Sequence, residues 1–211
     1  MRRLLRGLLA GPGRPPAGEM MDGERWIVVG LGNPGDRYSG NRHNAGAMAL
    51  EVLLRRAGAS LRKHKSGALV GEGAVGGERV VLARPAVLMN DSGRPVQGLL
   101  RWYKSPPERL IVIHDELDIP FGGVRVKQGG GTAGHNGLRS LVSHLSGADF
   151  NRVRIGISRP RSGRDAVGYV LGDFSTAERK DLPDLLERAA DATERIIEAG
   201  PEAAMNTFNN H

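Results

Sequence analysis

Two short polar stretches hold the side chains best suited to chemistry. Arg42-His-Asn-Ala-Gly46 puts His43 just ahead of a helical pattern, and His114-Asp-Glu-Leu-Asp118 puts Asp115 and Asp118 at the end of an apolar run. A histidine serves as a general base when an acceptor orients it and stabilises its charged form. A carboxylate at a strand end can fill that role, so Asp115 and Asp118 are the candidate partners. Taken singly, His43 reads as a surface histidine and the acids as turn or helix caps. Together they read as a base and its support.

The rest of the inventory narrows the chemistry. The chain has no cysteine and no serine in a G-x-S-x-G setting, which removes thiolate and nucleophile-elbow mechanisms. His114, Asp115, Glu116 and Asp118 are dense enough for metal ligation in principle, but no H-E-x-x-H or comparable spacing accompanies them. Hydrolysis by directly activated water fits best. Asn33, Asn90 and Asn136 each sit in a polar, glycine-containing loop. Each could be a turn former, yet an amide both donates and accepts, as recognition of a peptide backbone or an ester carbonyl requires.

Gly30-Leu-Gly-Asn-Pro-Gly35 follows an apolar run and matches the dinucleotide-binding G-x-G-x-x-G. Pro34 falls where the backbone should approach a pyrophosphate, and Asp36 to Asn44 is a polar loop where a helix should open. No acid follows a second strand at the required distance, since Glu51 lies inside a helical pattern. A nicotinamide-dependent oxidoreductase is therefore disfavoured.

The elements that must position these residues follow from periodicity. Trp26–Val29 reads as a buried strand, Gly46–Ala57 as a helix ending at Gly58, and Gly67–Val75 with Arg79–Ala83 as a hairpin across Gly76-Gly77. Asp91–Tyr103 predicts a second helix. Leu110–Ile113 is the clearest buried strand, ending at His114-Asp-Glu116. Val124–Lys127 alternates like a half-exposed strand, Gly129–Gly134 is a loop, Leu138–Leu145 a helix, and Val153–Ile157 another strand. Beyond Phe174 the pattern is acidic and helical, with Pro183 expected to separate a short helix from a longer one reaching Glu198. Strands alternating with helices imply a single α/β domain with a twisted, mixed, mostly parallel sheet flanked by helices. Asn33 and Asp115 both come just after strands, where sites in such folds gather.

Composition agrees. The 211 residues carry a net charge of +7 with 39% hydrophobic residues, enough for a core and a basic excess that favours polyanionic partners. The absence of cysteine fits a reducing compartment. Residues 1–22 stand apart: Arg2, Arg3, Arg6 and Arg14 precede any acid, and Gly11-Pro-Gly-Arg-Pro-Pro16 is turn-rich. Its apolar stretches are too short for a signal peptide or membrane span. An organellar presequence, a disordered extension and a misplaced start codon all fit. The extension is preferred because serines are absent and prolines break a long amphipathic helix. The expected division is a basic extension over 1–22 and one domain over 23–211.

Six motifs in order carry a resemblance: Gly30-Leu-Gly-Asn-Pro-Gly35, Arg42-His-Asn-Ala-Gly46, Met89-Asn-x-Ser-Gly93, His114-Asp-Glu-Leu-Asp118, Gly129-Gly-Gly-x-x-Gly-His-Asn-Gly137 and Arg154-Ile-Gly-Ile157. Over about residues 26 to 205 the chain resembles the bacterial peptidyl-tRNA hydrolases. The resemblance implies a cytoplasmic, monomeric enzyme without metal or cofactor, off the membrane, that cuts the ester between a peptide and the 3′ end of tRNA and frees that tRNA for translation. It implies that His43 is the general base, held by Asp115. Asn33 would probe the peptide amide, Tyr38, Asn90 and Asn136 would contact substrate around the ester, and Lys127 and Arg154 would hold tRNA phosphate. That basic face would extend towards Arg152, Arg159, Arg161 and Arg164. Leu88 departs from the aromatic residue common before the Met-Asn pair: it keeps an apolar wall but loses stacking. The alternative is a non-catalytic RNA-binding protein on the same fold, against which the intact His43 and Asp115 weigh.

Overall fold

Ile27 and Val29 face one layer of helices and Val28 the other, because successive side chains of a strand point to opposite faces. The same alternation runs through the neighbouring strands. Val80 and Leu82 join Val28 in one core, and Val81 and Ala83 join Ile27 in the other. A central sheet covered on both sides is the direct consequence. The computed structural model of this protein describes residues 25–160 and 165–210. The extension expected over 1–22, with Arg161 and Arg164 of the expected basic face, lies outside the described residues.

Seven strands form one mixed sheet: β1 (Trp26–Gly30), β2 (Arg62–Lys63), β3 (Ala68–Val75), β4 (Glu78–Pro85), β5 (Leu110–Glu116), β6 (Val124–Gln128) and β7 (Asn151–Gly156). Their order is β2-β3-β4-β1-β5-β7-β6. β4, β1, β5 and β7 run parallel, and β2, β3 and β6 add antiparallel edges. The expected single α/β domain with a mixed sheet is what the chain forms. Gly76 and Gly77, with φ of 58° and 78°, make the two-residue turn of the β3–β4 hairpin, a turn that needs positive φ at both positions.

Helices α1 (Ala45–Arg56) and α5 (Glu178–Phe208) cover one face, with Leu50, Leu53, Ala189 and Ile196 in its core. Helices α2 (Gly93–Tyr103) and α3 (Asn136–Leu145) cover the other through Val96, Leu99, Leu138 and Leu141. A short helix α4 (Ala166–Val170) precedes α5. No helix among the described residues is long and apolar enough to cross a membrane.

Three expectations need correction. β5 runs on to Glu116, so His114 and Asp115 belong to the strand itself. Pro183 does not divide the last helix: it sits in the second turn of α5, where it removes one backbone hydrogen bond. The interruption comes at Gly200, whose φ of 84° and ψ of 164° are not helical, just ahead of Pro201. Arg152, placed on the basic surface by its sequence neighbours, is 2% exposed and donates 2.6 Å hydrogen bonds to the carbonyl oxygens of Gly130 and Gly131. It shapes the glycine loop from beneath.

Candidate active site

Close backbone approach brings the site together. A Cβ on Gly30 would lie 2.5 Å from the Gly46 carbonyl oxygen, and one on Gly46 would lie 2.1 Å from that of Ile113. Glycine at these positions lets the first turn of α1 press onto β1 and β5. The G-x-G-x-x-G run therefore serves helix–strand packing, and only a single 3-10 turn (Asp36–Tyr38) follows it: the first α-helix, α1, begins at Ala45. His43 lies in a 3-10 turn (Arg42–Asn44) leading into α1 and so faces the end of β5. Arg42 anchors that turn with hydrogen bonds to the carbonyl oxygens of Gly172 (3.3 Å) and Asp173 (2.6 Å). An ion pair to Glu178 (2.6 Å) completes the anchor.

His43 Nδ1 lies 3.0 and 3.1 Å from the two carboxylate oxygens of Asp115. An ionised carboxylate can only accept, so Nδ1 carries the proton and Nε2 keeps its lone pair. His135 Nε2 is 3.0 Å from Asp115 Oδ1, and its Nδ1 accepts the Leu138 N–H at 3.3 Å as the cap of α3. The same reasoning fixes His135 as the Nε2–H tautomer. Burial alone would raise the Asp115 carboxyl, but the imidazoles of His135 and His43 outweigh it and hold the group well below the usual carboxylate range. His43 and Asp115 are 7% and 4% exposed, so their interaction works in a medium that strengthens it.

His114 has a different role. It is 1% exposed, donates from Nδ1 to the Asp115 carbonyl oxygen at 2.7 Å, and has no partner at Nε2. Burial, reinforced by the nearby His135, lowers it to about 3, so it stays neutral. Of the acids considered for metal binding, Glu116 pairs with Arg154 and Asp118 with Arg159. Among the described residues, the group with the makeup of a metal site is His43, Asp115 and His135, whose ligand atoms lie within 4.8 Å of one another. Those nitrogens are already engaged with the carboxylate by hydrogen bonds.

A cleft of about 600 Å³ opens over the pair, lined by Asn33, Tyr38, Leu88, Asn90 and Asn136 as well as His43 and Asp115. Seven of the nine residues singled out from sequence meet here. The Asn33 side chain is fixed by a requirement: the Met89 N–H, 2.8 Å from Oδ1, needs an acceptor. Its Nδ2 is thus the side-chain atom left over from this bond, in a residue that lines the cleft. Asn44 clamps the Asn33 backbone from both sides, accepting its N–H and donating to its carbonyl, each at 2.9 Å. Asn136 accepts a hydrogen bond from Arg139. Leu88, 49% exposed, and Val167 and Leu171 at the α4 end give the cleft an apolar rim.

Lys127 and Arg154 lie outside the cleft, on β6 and β7. Arg154 is bound through Nε and Nη2 to Glu116 Oε2 at 3.1 and 3.0 Å and stands opposite Arg125 in the ladder, while Lys127 is exposed. Sequence reasoning missed His135, Asn44 and the α4 wall. His135 and Asn44 were inside motifs already quoted, but nothing in their spacing says that one reaches Asp115 or that the other holds Asn33.

A family model described as peptidyl-tRNA hydrolase matches residues 27–211. The chain is 54% identical over 184 residues to the peptidyl-tRNA hydrolase of Frankia alni, covering 87% of this chain and 93% of that protein. It is 52% identical over 184 residues to that of Mycolicibacterium vanbaalenii, covering 87% and 96%. The crystal structure of peptidyl-tRNA hydrolase from Acinetobacter baumannii superposes with a TM-score of 0.83 at 37% identity, over 92% of this chain and 98% of that one.

Proposed function

The chain belongs to the peptidyl-tRNA hydrolase family, and from that premise we propose how its own residues cut the ester between a peptide and the 3′ end of tRNA. The observation that carries the reading is the His43–Asp115 pair at the floor of the cleft. His43 Nε2 takes a proton from water as the water oxygen attacks the ester carbonyl carbon. Asp115, held anionic, stabilises the imidazolium that forms. The Nδ2 amide of Asn33 is placed to donate to the peptide backbone or to the developing oxyanion. Collapse of the tetrahedral intermediate breaks the bond to the ribose oxygen, which takes the proton back from His43. Free peptide and tRNA leave.

Each remaining residue has a part. Asn90 and Asn136 hold substrate around the ester, partly through water, while Tyr38 and Leu88 wall the terminal nucleotide. Lys127 and Arg154 meet tRNA phosphate outside the cleft. General-base help is worth about 10²–10⁴-fold, enough for an already activated aminoacyl ester, and no step calls on a cofactor. The enzyme works as a cytoplasmic monomer.

The deciding experiment is incubation with N-acetyl-aminoacyl-tRNA in the absence of any cofactor. Release of N-acetyl amino acid is expected. Retention of tRNA without turnover would overturn the hydrolase reading in favour of an RNA-binding protein.

A further inference from the structure

The polar and charged groups of the cleft leave one conspicuous surface unexplained, on the outer side of α2. Trp102 is 53% exposed, the most exposed aromatic residue among the large hydrophobics. Lys65 Nζ lies over its ring at 3.4 Å, and the His64 ring meets it edge-on at 5.7 Å. Arg94 and Arg101 stand two helical turns apart on the same exposed face of α2. Arg62 and Lys63 form the edge strand alongside. Among the described residues, Arg62, Lys63, Lys65, Arg94 and Arg101 form no ion pair. By contrast, Arg42, Arg56, Arg154 and Arg159 all have carboxylate partners.

An exposed indole costs solubility, and a cluster of unneutralised cations costs self-repulsion. Both are satisfied together by one kind of ligand, a nucleic acid, whose phosphates neutralise the cations while a base stacks on the ring. The position suits the substrate. α2 starts three residues after Asn90, which lines the cleft, and rises about 1.5 Å per residue, so Trp102 lies roughly 14 Å along the helix from its cleft end. α2 and α3 lie side by side on one face of the sheet, and the Trp102 cluster stands by the β2 edge, across the sheet from Lys127 on β6.

We propose that Trp102 and Lys65, flanked by Arg94 and Arg101, form a second RNA-contact platform on α2 that binds the body of the tRNA substrate, away from the ester. The proposal rests on the hydrolase reading for the identity of the RNA. Binding places a base on the Trp102 ring and transfers the Lys65 ammonium from the ring to a phosphate.

The chain has two tryptophans, and the other, Trp26, is 7% exposed, so stacking of a bound base can quench Trp102 but not Trp26. Titration with deacylated tRNA should quench that emission. Trp102→Ala should lose the quench and weaken tRNA binding about five-fold or more. Lys65→Gln should lower the log–log salt slope of binding by up to about one unit. Hydrolysis of N-acetyl-aminoacyl-tRNA at saturating concentration should be unchanged in both variants, since neither residue touches the cleft. Unquenched emission at saturating tRNA, together with variant affinities within about two-fold of the parent, would overturn the platform. If the parent enzyme hydrolyses the substrate while this happens, only the platform fails. If the parent fails to hydrolyse it, the hydrolase reading fails, and the quench and affinities still decide whether the platform binds RNA.

Discussion

Gly46 packs against Ile113 so closely that a methyl group on it would come within 2.1 Å of the Ile113 carbonyl oxygen. This contact seats α1 on β5 and, through the preceding turn, sets His43 beside Asp115. Gly46→Ala should therefore destabilise the protein by about 3 kcal/mol or more, since neither partner at the contact is a flexible side chain. Gly131→Ala, where an added Cβ meets nothing within 4 Å, should change stability by less than about 0.5 kcal/mol. Urea unfolding of the two variants and the parent gives the comparison. Equal midpoints would show that the approach of α1 to β5 is not a constraint.

The proposed base and its proposed support should separate in kinetics. His43→Ala should lower turnover by roughly 10²-fold or more with tRNA affinity nearly intact. Asp115→Asn keeps the shape but removes the charge, and its amide can donate to His43 Nδ1, which would move the imidazole proton to Nε2 and silence the base. Turnover should fall by about 10²-fold or more, with folding preserved. His135→Asn should cost less, because His43 Nδ1 keeps its own bonds to Asp115. Single-turnover hydrolysis of N-acetyl-aminoacyl-tRNA measures all three. A His43→Ala variant as fast as the parent would remove histidine from the mechanism.

His114 sets a pH dependence of stability. Its folded-state value, lowered by burial to about 3, lies below the ordinary 6.5. The unfolded chain thus binds a proton between these values that the folded chain refuses. Stability contributed by the neutral ring is fully present above about pH 6.5 and is lost as pH falls towards 3. Asp115, also lowered, adds a loss of the same sign below about pH 4. Between pH 6.5 and 4.5 the His114 contribution should fall by about 2 kcal/mol. Denaturant unfolding at several pH values should show this slope, and His114→Asn, which keeps a donor for the Asp115 carbonyl, should flatten it. An equally steep slope in the variant would assign the acid sensitivity elsewhere.

Neutralising Lys127 and Arg154 together should weaken binding to all tRNAs alike and reduce the salt dependence, by up to about one log–log unit per lost phosphate contact. Because Arg154 is already paired with Glu116, its share should be smaller than that of the exposed Lys127. Cleavage of a short substrate without the tRNA body should change little, since His43 and Asp115 are untouched. Equal loss on short and full-length substrates would place these residues in the chemical site or the fold.

Sequence alone determined the parts whose signals are local. The apolar runs Trp26–Val29 and Leu110–Ile113 mark strands because a buried strand needs an unbroken apolar run, and Gly76-Gly77 marks a hairpin because glycine takes positive φ there without cost. The ordered motifs marked His43 and Asp115, a base and an acceptor whose residue types suit general-base chemistry, and the fold brings them within 3.0 Å of each other. Tertiary structure decided what depends on residues distant in the chain. Nothing near His135 in sequence states that its Nε2 shares an oxygen of Asp115 with His43, or that Arg152 is buried beneath the loop of Gly130 while its neighbour Arg154 reaches the surface. Pro183 shows the same limit from the other side. Its local preference is to break a helix, but the packing of Leu185, Ala189 and Ile196 against the sheet carries α5 through it. Local preference is worth a few kcal/mol at one residue, whereas burial of an entire apolar face is shared by many and prevails.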